Sequence, residues 1–234
     1  MTIKIDNLVK KYGKKIAINN ISIDIKDGEA IAFLGANGSG KTTLIEIIAG
    51  VLNETSGSVV IDGIDAKNYD EIGIQFQEGN WPKGTTPKSV IKFYKGNSFF
   101  KSDQVDLLDI FEVEPILNTD LNQLSGGQKQ RFNALLSIIN NPKIIILDEL
   151  ITGLDLKMQI RLVDYFKAYK KKNKCTLIVI SHMPEEIEML CDRIVLLENG
   201  SIFLDKPLKK LLKEHGSLRE MMTKYFGGEL NVEN

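Results

Sequence analysis

The stretch Gly35-Ala36-Asn37-Gly38-Ser39-Gly40-Lys41-Thr42 has the residue types and spacing of a cradle for phosphate oxygens, G-x-x-x-x-G-K-[ST]. Its glycines let the backbone wrap tightly enough for N–H groups to face an anion. The apolar run 30–34 before it reads as a strand, and the pattern after it as a helix from about 41 to 49. That context separates it from a chance Gly-rich turn, and the positive helix end strengthens the site. Lys41 is placed to reach the β- and γ-phosphates of a nucleoside triphosphate, and Thr42 to offer its hydroxyl to Mg²⁺. Gly35, Asn37, Gly38, Ser39, Gly40, Lys41, Thr42 and Thr43 are therefore candidate nucleotide-binding residues.

A second chemical signal is the pair Asp148-Glu149, which ends the fully apolar run Ile144-Ile145-Ile146-Leu147. Apolar side chains on both faces mark a central strand. Acids at its C-terminal end lie on the edge where open α/β sheets bind ligands. Taken alone, two acids after a strand are more often a solvated turn. Beside a phosphate cradle, Asp148 takes the position of a magnesium ligand and Glu149 that of a base for an attacking water. A third signal, Leu124-Ser125-Gly126-Gly127-Gln128, precedes a helical pattern. Ser125 reads as its cap, with the glycines exposing backbone N–H groups. This is an ordinary helix start by itself, but it gives the chain a second anion-binding helix terminus.

The elements that must position these residues follow from periodicity. Alternation at 3–6 and 21–25 predicts half-buried strands, and further strands are expected at 58–61, 72–76, 144–148, 176–181 and 193–197. Helical patterns occupy 104–111, 128–139 and 156–172. Strands alternating with helices predict a mainly parallel α/β sheet. The block from about 78 to 140 is helical and reads as an insertion into the sheet domain. From Pro207 onward the chain reads as one or two amphipathic helices.

The chain has 234 residues, 43% hydrophobic and 26% charged, which bounds it to one sizeable core. Its net charge of −1 gives no general attraction for nucleic acid or acidic lipid. No run approaches the ~20 apolar residues needed to span a bilayer, and the opening Met1-Thr2-Ile3-Lys4-Ile5-Asp6 lacks the apolar region of a secretory leader. Cys175 and Cys191 lack metal-ligand spacing and read as reduced core thiols.

Extended to Leu124-Ser125-Gly126-Gly127-Gln128-Lys129-Gln130-Arg131, the third signal resembles the signature motif of ABC-type ATPases. The phosphate loop lies upstream and Asp148-Glu149 downstream, in the family's order and at similar spacing. The resemblance runs from about Ile3 to Leu204. It implies an α/β P-loop NTPase fold with a mainly parallel central sheet, an N-terminal antiparallel β subdomain and an inserted helical subdomain. The core would cover about 1–77 and 141–206, the helical subdomain about 78–140, and a helical tail about 207–234.

The resemblance also implies ATP and Mg²⁺ as ligands and two ATP-binding domains packed head to tail, the second being another copy of this chain or a close relative. Ser125, Gly127 and Gln128 would then cover, in trans, the nucleotide held by the partner's phosphate loop. Tyr12 stands where the family stacks an aromatic on adenine; the alternative is a strand-end tyrosine packed on the core. Gln77 resembles the glutamine that senses Mg²⁺ and water, and would be a metal ligand together with Thr42 and Asp148. Asp155, in Thr152-Gly153-Leu154-Asp155, resembles the loop that bridges the two subunits. His182 resembles the histidine that contacts the γ-phosphate, although a lone histidine is usually structural. Catalysis would rest on Glu149, His182, Gln77 and Lys41. One departure is Leu150, where the family usually has proline; its absence is expected to loosen the link between Asp155 and Glu149.

The resemblance implies a transporter motor at the cytoplasmic face of the membrane, bound to a polytopic permease. The segment Glu78-Gly79-Asn80-Trp81-Pro82-Lys83 follows Gln77, where such a partner would dock, and Trp81 is either an exposed anchor or a core residue. The run Gln75-Phe76-Gln77-Glu78 and the short tail most resemble ATPases of exporters of the ABC-2 type, including those for drugs, antimicrobial peptides and polymers. The competing class is a non-transport ABC ATPase acting on ribosomes or DNA. Lys170-Lys171-Lys172 and Lys209-Lys210 read as solvated helix faces rather than nucleic-acid patches, so no nucleic acid is expected. A small-metabolite kinase would explain the phosphate loop but leave the signature and His182 idle.

Overall fold

The computed structural model describes residues 1–63, 71–75 and 81–228. Its centre is a six-stranded sheet in the order β5-β6-β7-β3-β8-β9: β3 (Ala30–Leu34), β5 (Ile72–Gln75), β6 (Ile144–Asp148), β7 (Thr176–Ile180), β8 (Arg193–Glu198) and β9 (Ser201–Pro207). β5 to β8 and β3 pair in parallel, and β9 closes the edge antiparallel to β8. A three-stranded antiparallel sheet, β2-β1-β4, is built from β1 (Ile3–Tyr12), β2 (Lys15–Ile25) and β4 (Ser56–Ile61).

The central strands are apolar throughout because the pleat sends alternate side chains into two different cores. Ile31, Phe33, Ile144, Ile146, Ile178 and Ile180 join the core shared with the antiparallel sheet and α1 (Lys41–Ile48). Ala32, Leu34, Ile145, Leu147, Leu177 and Val179 join the opposite core. That second core is completed by α4 (Gly126–Ile138), α5 (Leu156–Asn173) and α6 (Pro184–Leu190), with α7 (Leu208–His215) and α8 (Leu218–Phe226) beyond them. A sheet covered on both faces leaves its C-terminal edge as the open working surface, as in other α/β folds.

Between β5 and β6, neighbours in the sheet, every described element is helical. α2 (Pro87–Lys95) opens with a capping box between Thr86 and Ser89 and a proline in its first turn. The helix expected over 104–111 is broken instead: a 3-10 turn, Asp103–Asp106, runs into the short α3 (Leu107–Ile110). Ser102 caps the turn through Gln104, whose side chain reaches Ile139 O at 3.2 Å, and Glu112 ends it with φ +48°. Trp81 is half-buried against the larger core, so it is neither of the two extremes expected for it. Gln77, Phe76 and the segment 78–80 lie outside the described residues.

β9 has no counterpart among the expected strands. Its signal is Asn199-Gly200, both at positive φ (+48° and +79°), which is the chemistry of a tight hairpin between β8 and β9. Cys175 and Cys191 are free and buried. Of the lysine runs, Lys170 pairs with Asp192 at 2.6 Å, while Lys171 and Lys172 are exposed. Among the described residues no helix is long and apolar enough to cross a membrane.

Candidate nucleotide site

The ends of β3, β6 and β7 lie side by side, and each delivers part of one cleft of about 300 Å³. From β3 comes the loop 35–40, whose glycines take backbone shapes closed to other residues. Gly40 has φ +106°, and a β-carbon there would stand 2.6 Å from Ala17 O. The loop feeds α1, so its first-turn N–H groups face the cleft end of the helix. Asn37, Gly38, Gly40, Lys41, Thr42 and Thr43 line the cleft. Gly35 and Ser39 stand behind it: Ser39 Oγ is buried with no hydrogen-bond partner, and Ser39 O accepts from Gly200 N at 3.1 Å.

Lys41 is buried, and its Nζ donates to Gly35 O at 2.7 Å and Ala36 O at 3.1 Å. The ammonium thus lies folded along the loop whose anion it would hold. Burial lowers its pKa, while Asp148 and Glu149 pull it back up. From β6 come Asp148 and Glu149. Burial, with Glu149 beside it and Lys41 opposing, pushes the Asp148 carboxyl up to about 6. Burial is the larger cause of that rise, and a cation bound beside the carboxyl would favour its charged form.

Glu149 itself sits at φ +54°, a region that non-glycine residues seldom adopt and that marks functional turns. Its N–H donates to Ile180 O at 2.8 Å, which pins the turn to β7. His182, just past β7, is half-exposed and brings Nε2 to 3.8 Å from Glu149 Oε1. Tyr12 closes the cleft from the end of β1. Its ring is 48% exposed, with Lys10 Nζ 5.2 Å from its centroid, so it is not the core tyrosine of the alternative reading.

The remaining candidates are not in the cleft. Ser125 caps α4 in a reciprocal box: its Oγ accepts from Gln128 N at 3.3 Å, and Gln128 Oε1 accepts from Ser125 N at 2.9 Å. The helix begins at Gly126, two residues earlier than its periodicity predicts, so both glycines lie in its first turn. Asp155 caps α5 through Met158 N at 3.0 Å. None of Ser125, Gly127, Gln128 and Asp155 lines the cleft. The candidate residues therefore fall into two separate sets on one molecule.

Sequence reasoning missed three things. Lys15 lines the cleft near Tyr12, with no local signal to announce it. Gln130 donates to the carbonyls of Glu149 and Leu150, the latter at 3.3 Å. Glu186, in α6, is fully buried and accepts from Ser181 Oγ at 2.6 Å. The amides of Leu150 and Ile151 also favour its charged form, although Oε1 has no full hydrogen bond. These contacts bear on Leu150. It is completely buried, and Gln130 holds its carbonyl from the α4 side.

Comparison with known proteins identifies the family. The family model described as ABC transporter matches residues 18–152. The probable sulfate/thiosulfate import ATP-binding protein CysA of Chlorella vulgaris is 34% identical over 211 residues, covering 86% of this chain and 89% of that protein. The spermidine/putrescine import ATP-binding protein PotA of Haemophilus influenzae is 31% identical over 239 residues; the alignment takes in 98% of this chain but 63% of PotA. Among solved structures, the ATP-binding cassette MJ0796, dimeric in a post-hydrolysis state with ADP and Pi, superposes with a TM-score of 0.76 at 28% identity, covering 88% of this chain and 98% of that one. On the family match and the relatives together, the chain belongs to the ABC transporter family, as an ATP-binding and ATP-hydrolysing component.

Proposed function

We propose that this protein works as a head-to-tail pair with two ATP molecules between the protomers, and that the pair drives a separate membrane-spanning subunit. The observation that carries this is the split between the two residue sets. Lys41, Thr42, Asp148, Glu149 and His182 share one cleft, while Ser125, Gly127 and Gln128 stand at the capped start of α4, off it. One molecule thus offers a phosphate cradle with its base and, elsewhere, a capped helix start with Gly126 and Gly127 in its first turn. A second copy in reversed orientation completes both. The dimeric state of MJ0796 supports this arrangement.

Within a site, the loop N–H groups and Lys41 offset phosphate charge from one side, and the partner's α4 does so from the other. Such preorganised donors are the main source of stabilisation in phosphoryl transfer. Glu149 orients and deprotonates the attacking water, and His182 contacts the γ-phosphate. Tyr12 offers its open ring to adenine. Thr42 and Asp148 would hold Mg²⁺ with Gln77; a hydroxyl and a carboxylate on one cleft wall are the hard oxygen donors this ion takes. When bound, the ion supplies charge neutralisation between the phosphates.

The reading places the pair on the cytoplasmic face, bound to a polytopic permease. The run Gln75-Phe76-Gln77-Glu78 supports export of a drug, peptide or polymer. Import is the second reading, favoured by the relatives named for import of sulfate/thiosulfate and of spermidine/putrescine. The test is purification of the tagged chain from detergent-solubilised membranes, followed by reconstitution with the polytopic protein that accompanies it. ATP-dependent loss of cargo from the compartment bearing the ATPase supports export, and uptake into it supports import. Copurifying ribosomes, or turnover stimulated by DNA, would replace the transporter reading with the non-transport one.

A further inference from the structure

We propose that Gln130 is a positioning residue that ties the start of α4 to the turn carrying Glu149, so that occupancy of one nucleotide site alters the base of the other. This rests on the head-to-tail reading, since only there does α4 cover the partner's nucleotide while Glu149 serves the protomer's own.

Gln130 lies in the second turn of α4, 9% exposed, and its Nε2 donates to Glu149 O as well as to Leu150 O at 3.3 Å. These are consecutive carbonyls of a turn whose first residue is held at φ +54°. A left-handed residue keeps that shape only while its surroundings over-determine it. The next carbonyls are held from α5: Gln159 Nε2 donates to Ile151 O at 3.3 Å and Leu154 O at 2.9 Å. Besides the Glu149 N–H bond to Ile180 O, the segment 149–155 is thus held by two glutamines, one from each flanking helix.

α4 also touches this segment at its very start. A β-carbon on Gly127 would meet Gly153 O at 3.2 Å, so the helix's first turn lies directly against the loop that ends in Asp155. The capping box of Ser125 and Gln128 makes that first turn a single unit with the rest of the helix. Any shift of α4 on meeting a phosphate is therefore passed to the Glu149 carbonyl. Hydrogen bonds tolerate only a few tenths of an ångström before weakening, so the turn follows the helix or loses its support. Proline at position 150 would fix the turn by its own ring; with Leu150, Gln130 shares the fixing with the Glu149 N–H bond to Ile180 O.

The experiment uses the full chain with Gln130→Met, which keeps length and bulk but removes the donor, and Gln130→Asn, which keeps the amide one methylene short of the turn. Steady-state ATP hydrolysis of either should show kcat at least tenfold lower, KM within twofold, and a Hill coefficient for ATP that falls toward 1. Combined with Glu149→Gln, either variant should still dimerise with Mg-ATP. Wild-type kcat and Hill coefficient in a folded Gln130→Met protein would overturn the proposal; if that variant melts below the assay temperature, the same values in Gln130→Asn would overturn it. A parallel loss of kcat and nucleotide affinity with the Hill coefficient kept would show a merely structural glutamine and overturn it too. Failure of Glu149→Gln alone to dimerise would instead remove the head-to-tail reading beneath it.

Discussion

His182 Nε2 stands 3.8 Å from Glu149 Oε1, across the ends of the neighbouring strands β7 and β6. The two residues are 33 positions apart in sequence and meet only because the strands run parallel with Asp148 opposite Ile180. Both side chains line the cleft beside the phosphate loop. The Glu149 N–H bond to Ile180 O, 2.8 Å, ties the two strand ends together.

Replacing Lys41 with Ala should weaken nucleotide binding rather than hydrolysis alone. Hydrogen bonds to charged groups are worth about 1.5–3 kcal/mol, so affinity should fall at least about tenfold. Equilibrium titration with a fluorescent ATP analogue measures it. Unchanged affinity would show that the ammonium stays on Gly35 O and Ala36 O when nucleotide binds.

Tyr12 is open to solvent, so Tyr12→Ala should leave the melting temperature nearly untouched, as surface changes usually do. Loss of a stacked aromatic costs about 1–3 kcal/mol per base, so the affinity for ATP should drop several-fold or more, with Tyr12→Phe retaining it. The same titration applies. Equal affinity in the Ala variant would take adenine off this ring.

Glu186 gives a pH signature. Burial raises its pKa from 4.5 to about 7, against the hydrogen bond from Ser181 and with Glu149 adding to the rise. A carboxyl with a raised native pKa binds its proton more tightly when folded. Its stabilising effect is fully present below about 4.5 and is lost as pH climbs through about 7. The loss is on the order of 3 kcal/mol. Glu186→Gln should therefore match the wild type near pH 5 and exceed it in stability near pH 8, by urea unfolding at each pH. Parallel pH profiles would contradict the assignment.

Much of the site was legible in the sequence because its parts are local. A strand, a Gly-rich loop and a helix in succession are read directly, and the apolar run before Asp148 states that both faces of β6 are covered. The reciprocal cap of Ser125 and Gln128 is likewise a short-range pattern. Gln130, Glu186 and Lys15 were illegible for the opposite reason. A polar residue on a helix or hairpin says nothing of which distant backbone it meets, and only the packing of α4 and α6 against the turn after β6 makes it meaningful. The broken helix at 103–110 shows the same limit, since the Gln104 side chain bonds to the distant Ile139 O. β9 is a different case: Asn199-Gly200 is a hairpin signal that strand periodicity alone does not weigh.

The paired clamp itself is tested most directly by the Glu149→Gln protein, in which the base is gone and the cradle, Thr42 and the start of α4 remain. Light scattering with saturating Mg-ATP should give twice the mass seen without nucleotide. Turnover should fall about 100-fold or more, as for loss of a general base. A protein that stays at the monomer mass of 26.2 kDa under those conditions would contradict the shared-nucleotide account.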